Sequence, residues 1–93
     1  MINFERKTWE EINIGLASRL AQTRRRKKIT QKELATRSGV SLGSIKRFEQ
    51  SGEISLQALT KITIVLGVDN EIEALFSAPI FTSIEEIING QNK

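Results

Sequence analysis

Apolar positions along the chain recur at helical intervals. Ile12, Leu16 and Leu20 follow one another every four residues and make one stripe, which predicts a first helix over about residues 11–27. Its basic last turn suits the negative end of the helix dipole. Thr30, with Glu33 three residues on, has the form of a capping box and opens a short helix over Gln31 to Ser38, with Leu34 and Ala35 facing in. Gly39 suits a left-handed helix end. Ser41 caps a third helix from Leu42 to about Gln50, and Ser51-Gly52 closes it. Ser55 begins a fourth helix with Leu56, Leu59, Ile62 and Leu66 inside and Gly67 at its end. Asn70 and Glu73 form another box, opening a fifth helix that carries Ile72, Leu75 and Phe76. No alternating Val/Ile/Thr-rich run bounded by turns competes with this reading. Five short helices on tight connections predict a compact all-α domain.

The last residues have a different character. Ser77-Ala78-Pro79-Ile80-Phe81 is expected to be extended, because the residue before proline avoids helix. Ser83 and Glu86 form a third box ahead of a helical turn through Ile84, Ile87 and Ile88. A segment this apolar is expected to dock on its own domain, on a second copy, or on another protein. The expected organisation is an N-terminal extension over 1–10, a five-helix domain over 11–76, and a short apolar C-terminal tail over 77–93.

The length of 93 residues suffices for one small domain. A core of that size is marginal alone, so burial between two copies is expected. The chain has neither Cys nor His. That removes a disulfide framework, thiol chemistry, the usual zinc sites and the commonest general base. No metal and no cofactor is expected. An enzyme would have to rest on clustered carboxylates. Asp69, Glu71 and Glu73 do cluster, but a capped helix start accounts for them. Nothing meets the criteria of paired catalytic groups, so no enzyme is expected. The start, Met1-Ile2-Asn3-Phe4-Glu5-Arg6-Lys7, is too charged for a secretory signal. The longest apolar stretch, Ile62 to Val68, falls far short of the ~20 residues of a membrane span. A soluble cytoplasmic protein is expected.

Charge adds the pointer to function. The net charge is +3, but Arg19 to Arg47 holds ten Lys or Arg against the single acid Glu33. The residues before this segment are nearly neutral, and those after it are acidic. A basic segment so flanked is the footprint of a polyanion partner.

The two short helices joined through Gly39 form a helix-turn-helix. Ala35 supplies the small residue where they cross, and Gly39 supplies a positive φ without a steric cost. Val40, Ile45 and Phe48 make the anchoring edge of the second helix. Ser41, Leu42, Gly43, Ser44, Lys46 and Arg47 are left on its outward faces. Such a helix lies in the major groove of duplex DNA with its N-terminal residues near base edges. Arg47 can bond guanine O6 and N7 in bidentate fashion, Ser44 can donate or accept, and Leu42 suits a thymine methyl. Gly43 has two readings: close approach of backbone to DNA, or flexibility near a helix start.

Thr30-Gln31-x-x-Leu34-Ala35, Gly39-Val40-Ser41 and Ile45-x-x-Phe48-Glu49 resemble the phage-repressor, Cro/C1-type helix-turn-helix family over about residues 12–76. The resemblance implies a five-helix, lambda-repressor-like domain that acts as a homodimer on a palindromic operator. It implies a phosphate contact for Gln31, base contacts for Ser41, Leu42, Gly43 and Ser44 with Arg47 one turn on, and a buried structural pair between Arg24 and Glu49. Two positions depart from the pattern. Ser38 and Thr23 stand where apolar residues are usual, which implies a slightly less apolar core. Leu42 and Gly43 are poor hydrogen bonders, so DNA shape is expected to contribute to readout. The run Ser41 to Leu56, with Leu75-Phe76 and the Pro79 and Ser83 turn, is also similar to a bacterial subgroup paired with HipA-type kinase toxins. That resemblance implies an antitoxin that binds its toxin and represses their shared operon.

Around the motif, Lys27, Lys28, Lys32 and Arg37 surround Gln31. With Thr30, the first three are expected at phosphates, Gln31 and Lys32 foremost. Arg25, Arg26 and Arg37 rank behind them. A dimer or partner surface is expected at Leu75, Phe76, Ile80, Phe81, Ile84 and Ile87. Trp9 is expected in the core or at a dimer contact.

Overall fold

Each of four helices starts at a hydroxyl. Thr8, Thr30, Ser41 and Ser55 sit in extended backbone, and each accepts a hydrogen bond from the backbone N–H three residues on. In the computed structural model, which describes residues 6–77, the helices are α1 (Trp9–Arg26), α2 (Gln31–Ser38), α3 (Leu42–Ser51), α4 (Leu56–Leu66) and α5 (Asp69–Glu73). Among the described residues there is no strand. The protein is all-α, as expected.

The ends of the helices differ from the expectations in instructive ways. α1 begins at Trp9 rather than near residue 11, because Thr8 and Glu11 close a full capping box. Glu11 N donates to the Thr8 hydroxyl at 3.2 Å, and Thr8 N donates to Glu11 Oε1 at 3.3 Å. At α2 only half of the expected box forms. The Thr30 hydroxyl caps Glu33 N at 3.0 Å, but the Glu33 carboxylate turns to Arg37 at 3.3 Å. The Asn70–Glu73 box does not form. α5 starts two residues earlier, behind Val68, with no side-chain cap, and ends at Glu73. Leu75 and Phe76 therefore lie beyond the helix and are exposed, Phe76 at 97%.

The core has two clusters. Ile29, Leu34, Val40, Ile45, Ile62 and Leu66 form the larger one, and Ala17, Phe48 and Leu59 form the smaller. Leu20 and Ile54 pack against both and join them. Each fully buried Ile, Leu or Phe contributes roughly 1.5–3 kcal/mol. α3 lies between α1 and α2, and α4 packs on α2 and α5.

Four expected core positions, Trp9, Ile12, Leu16 and Leu56, are corrected. α1 turns Ala17, Ala21 and Arg24 inward, not Ile12 and Leu16, which are exposed. Ala17 and Phe48 share one cluster, so the small side chain on α1 leaves room for the aromatic ring of α3. Leu56 is 71% exposed, because the contact of α4 with the core begins at Ala58 and Leu59. Thr63 takes a core place instead, its hydroxyl donating to Thr60 O at 2.8 Å. Trp9 is exposed and is no core residue.

Candidate nucleic-acid interface

The turn between α2 and α3 fixes the site. Gly39 takes a φ of 75° and donates to Ala35 O at 3.0 Å, ending α2. Ser38, unexpectedly polar for its place, accepts from Val40 N at 3.1 Å and so satisfies the donor in the turn. Val40 is buried beyond it, and Ser41 starts α3. α3 is then held by Ile45 and Phe48, both essentially inaccessible. Thr23, the other departure, satisfies itself by donating to Arg19 O at 3.1 Å.

What remains of α3 points outward. Ser41, Gly43, Ser44, Lys46 and Arg47 are exposed, and Leu42 is half-buried. Ser41 Oγ accepts from Ser44 N at 3.1 Å and donates to Ser44 Oγ at 2.7 Å. Gly43 is an ordinary helical residue, and a Cβ built on it would meet nothing within 4 Å. The fold itself places no demand for glycine there. Arg47 Nε donates to Glu53 Oε2 at 2.8 Å, a contact that reading the sequence missed.

Behind this face lies a buried polar centre. Arg24 Nε and Nη2 donate to the two carboxylate oxygens of Glu49 at 2.8 and 3.0 Å. Arg24 Nη1 donates to Ile29 O at 2.8 Å. Gln31 Nε2 donates to Glu49 Oε1 at 2.9 Å. Burial raises the pKa of Glu49, but the hydrogen bonds from Arg24 and Gln31 and the charges of Arg24 and Arg25 outweigh it, so the carboxyl sits below its ordinary value. One network therefore ties the end of α1, the start of α2 and the end of α3. It holds the Gln31 amide through one nitrogen and leaves its oxygen for other partners.

Thr30 and Lys32 are exposed beside Gln31 at the start of α2. Lys28 has a φ of 59°; Lys28 N donates to Arg25 O at 2.9 Å and Ile29 N to Arg24 O at 3.2 Å. Those two bonds make a Schellman ending of α1, with lysine in the place where glycine is usual. Lys27 Nζ lies 3.8 Å from where a Cβ on Gly67 would stand, against the end of α4. Arg37 is engaged by Glu33, and Arg25 and Arg26 are exposed.

A second surface lies on the far side of α1. Leu16, Leu20, Leu59, Val68, Ile72 and Leu75 line a groove of about 490 Å³, with Arg19 and Arg26 also at its walls. Phe76 follows Leu75 in the chain and is almost fully exposed. Ile80, Phe81, Ile84 and Ile87 lie outside the described residues. Among the described residues, Asp69, Glu71 and Glu73 do not come together as a metal site, and no helix is long and apolar enough to cross a membrane.

A comparison with protein families matches residues 20–69, just over half of the chain, to the helix-turn-helix model. The protein belongs to the Cro/C1-type helix-turn-helix family. It is a DNA-binding transcription regulator that acts on double-stranded DNA. A search of curated proteins found no match to the chain.

Proposed function

We propose that the protein is a dimeric repressor of its own operon. It reads a palindromic operator with α3 in the major groove, where Ser41, Leu42, Gly43, Ser44, Lys46 and Arg47 face base edges. Thr30, Gln31, Lys32, Lys27 and Lys28 take the flanking phosphates. The observation that carries this reading is the division of α3. Ile45 and Phe48 are sunk in the core, while Ser41, Ser44, Lys46 and Arg47, all basic or hydroxylated, are exposed beside them. Arg47 offers a guanidinium fork suited to guanine, and Lys32 and Lys28 supply charge without sequence information. The dimer is proposed to form over the groove of α1, α4 and α5, where Leu75 and Phe76 leave apolar area in water.

The test is a titration of the full chain against duplex DNA from upstream of its own gene, at two salt concentrations. Scrambled duplex and Arg47→Ala are the controls. Preference for the upstream site that falls with Arg47→Ala supports the proposal. Equal binding to all duplexes at every salt concentration sinks it. Loss of dimer in Phe76→Glu or Leu75→Glu, seen by sedimentation, supports the proposed dimer face.

The same apolar groove and Phe76 favour a second reading. In it, this face and the tail that follows hold a protein partner such as a HipA-like kinase toxin, and the protein is an antitoxin or adaptor. If so, Phe76→Glu leaves operator binding by a preformed dimer intact and abolishes co-purification with a kinase encoded next to it.

A further inference from the structure

The mate of Arg47 is the one feature of the α3 face that the proposed readout has not used. Glu53 is six residues on, a spacing that does not bring side chains together on a helix. It reaches Arg47 because α3 ends at Gly52 in the left-handed conformation, φ 80°, and the chain doubles back. The turn is firmly seated. A Cβ at Gly52 would come within 2.7 Å of the Asn13 backbone, so α1 presses directly on it. Ser51 braces the same turn, its hydroxyl donating to Arg47 O at 2.7 Å and accepting from Glu53 N at 3.3 Å.

The pair is well exposed, so it contributes little to stability. Its geometry suits another task. Glu53 occupies Nε at 2.8 Å, and among the described residues no hydrogen bond takes Nη1 or Nη2. The end-on fork of the guanidinium is left open, and that fork is one that can bond guanine O6 and N7. A long side chain beside a polyanion would otherwise divide its time among phosphates and bases. The carboxylate restricts its rotamers and neutralises its general attraction to phosphate. Both effects favour discrimination over raw affinity.

We infer that Glu53 is a positioning residue for specificity: it holds Arg47 by Nε so that the terminal fork reads a guanine. The inference rests on the base-reading role proposed for Arg47.

The experiment uses the full chain and the duplex it selects from a randomised pool. The guanine read by Arg47 is the base pair at which Arg47→Ala stops discriminating. Discrimination at that pair, and affinity for scrambled duplex, are then measured for Glu53→Ala, Glu53→Gln and Arg47→Ala/Glu53→Ala. Glu53→Ala is expected to lose discrimination at that pair by roughly fivefold or more while binding scrambled duplex more tightly. Glu53→Gln, which keeps an acceptor, is expected to restore part of the discrimination. Adding Glu53→Ala to Arg47→Ala is expected to change discrimination no further. The inference is overturned if Glu53→Ala discriminates as the wild type does, or if it tightens binding to every duplex by one common factor. If the wild type selects no site, or Arg47→Ala keeps its full preference, the base-reading role itself fails and takes this inference with it.

Discussion

Arg24 on α1 and Glu49 on α3 meet in a two-bond ion pair of 2.8 and 3.0 Å across twenty-five positions of sequence. Both side chains are about nine-tenths buried. Neither is left partly satisfied: Arg24 also bonds Ile29 O, and Glu49 also accepts from Gln31. Removing one partner strands the other's charge in the interior. Arg24→Ala or Glu49→Ala is therefore expected to cost about 3 kcal/mol or more, a large share of what a domain of this size has. The double change Arg24→Met/Glu49→Leu is expected to cost much less than the sum of the singles. Urea unfolding of the four proteins checks both statements.

The same pair gives the fold a pH dependence. The Glu49 carboxyl is held below its ordinary value of 4.5, the burial penalty being outweighed by Arg24 and Gln31. A depressed folded pKa stabilises the protein above the unfolded pKa, and that contribution is lost as pH falls through the folded value. The stability advantage of wild type over Glu49→Gln is expected to be full at neutral pH and to shrink below about pH 4.5. Unfolding midpoints of both proteins along a pH series measure it. An advantage that does not change with pH would contradict the assignment.

Gly43 separates stability from binding. No neighbour within 4 Å opposes a Cβ there, and the backbone is helical. Gly43→Ala is expected to stabilise the fold by about 0.5 kcal/mol through the cost of ordering glycine. If α3 brings its backbone close to DNA, the same methyl weakens binding to the selected duplex. Thermal melts and DNA titrations of one preparation give both numbers. A stabilised variant that binds as well as wild type assigns Gly43 to flexibility at the helix start.

Lys28 offers a comparable split at the other end of the site. It holds a φ of 59° in the Schellman turn that closes α1, a conformation costing a lysine roughly 1–2 kcal/mol. Lys28→Gly is expected to raise stability by about 1 kcal/mol, less whatever the unfolded chain gains in freedom. It is also expected to reduce the slope of log affinity against log salt by about 1, in line with one lost phosphate contact. An unchanged salt slope would remove Lys28 from the phosphate set.

The helices, the caps of α2, α3 and α4 and the turn were legible from residue types alone, because those are local matters. Thr30, Ser41 and Ser55 cap by their own hydroxyls, and Gly39, Gly52 and Gly67 end helices because glycine adopts positive φ without steric cost. The buried edge of α3 was legible too, since Val40, Ile45 and Phe48 are apolar at helical spacing. Thr8 and Glu11 were equally legible as a capping box, although the apolar stripe of Ile12 drew the helix start later.

Tertiary structure decided what spacing cannot specify. An apolar stripe shows which residues share a face of α1, not which face meets α3. Packing buried Ala17 and Ala21, Ala17 in one cluster with Phe48 where a small side chain leaves room for the ring, and Ile12 and Leu16 were left outside. The side chain of Gln31 was settled by Glu49, eighteen residues away, and that of Arg47 by Glu53, brought back through a turn wedged against Asn13. Local sequence sets backbone conformation through hydrogen bonds a few residues long. Which charged side chains meet depends on elements that become neighbours only after the chain has folded.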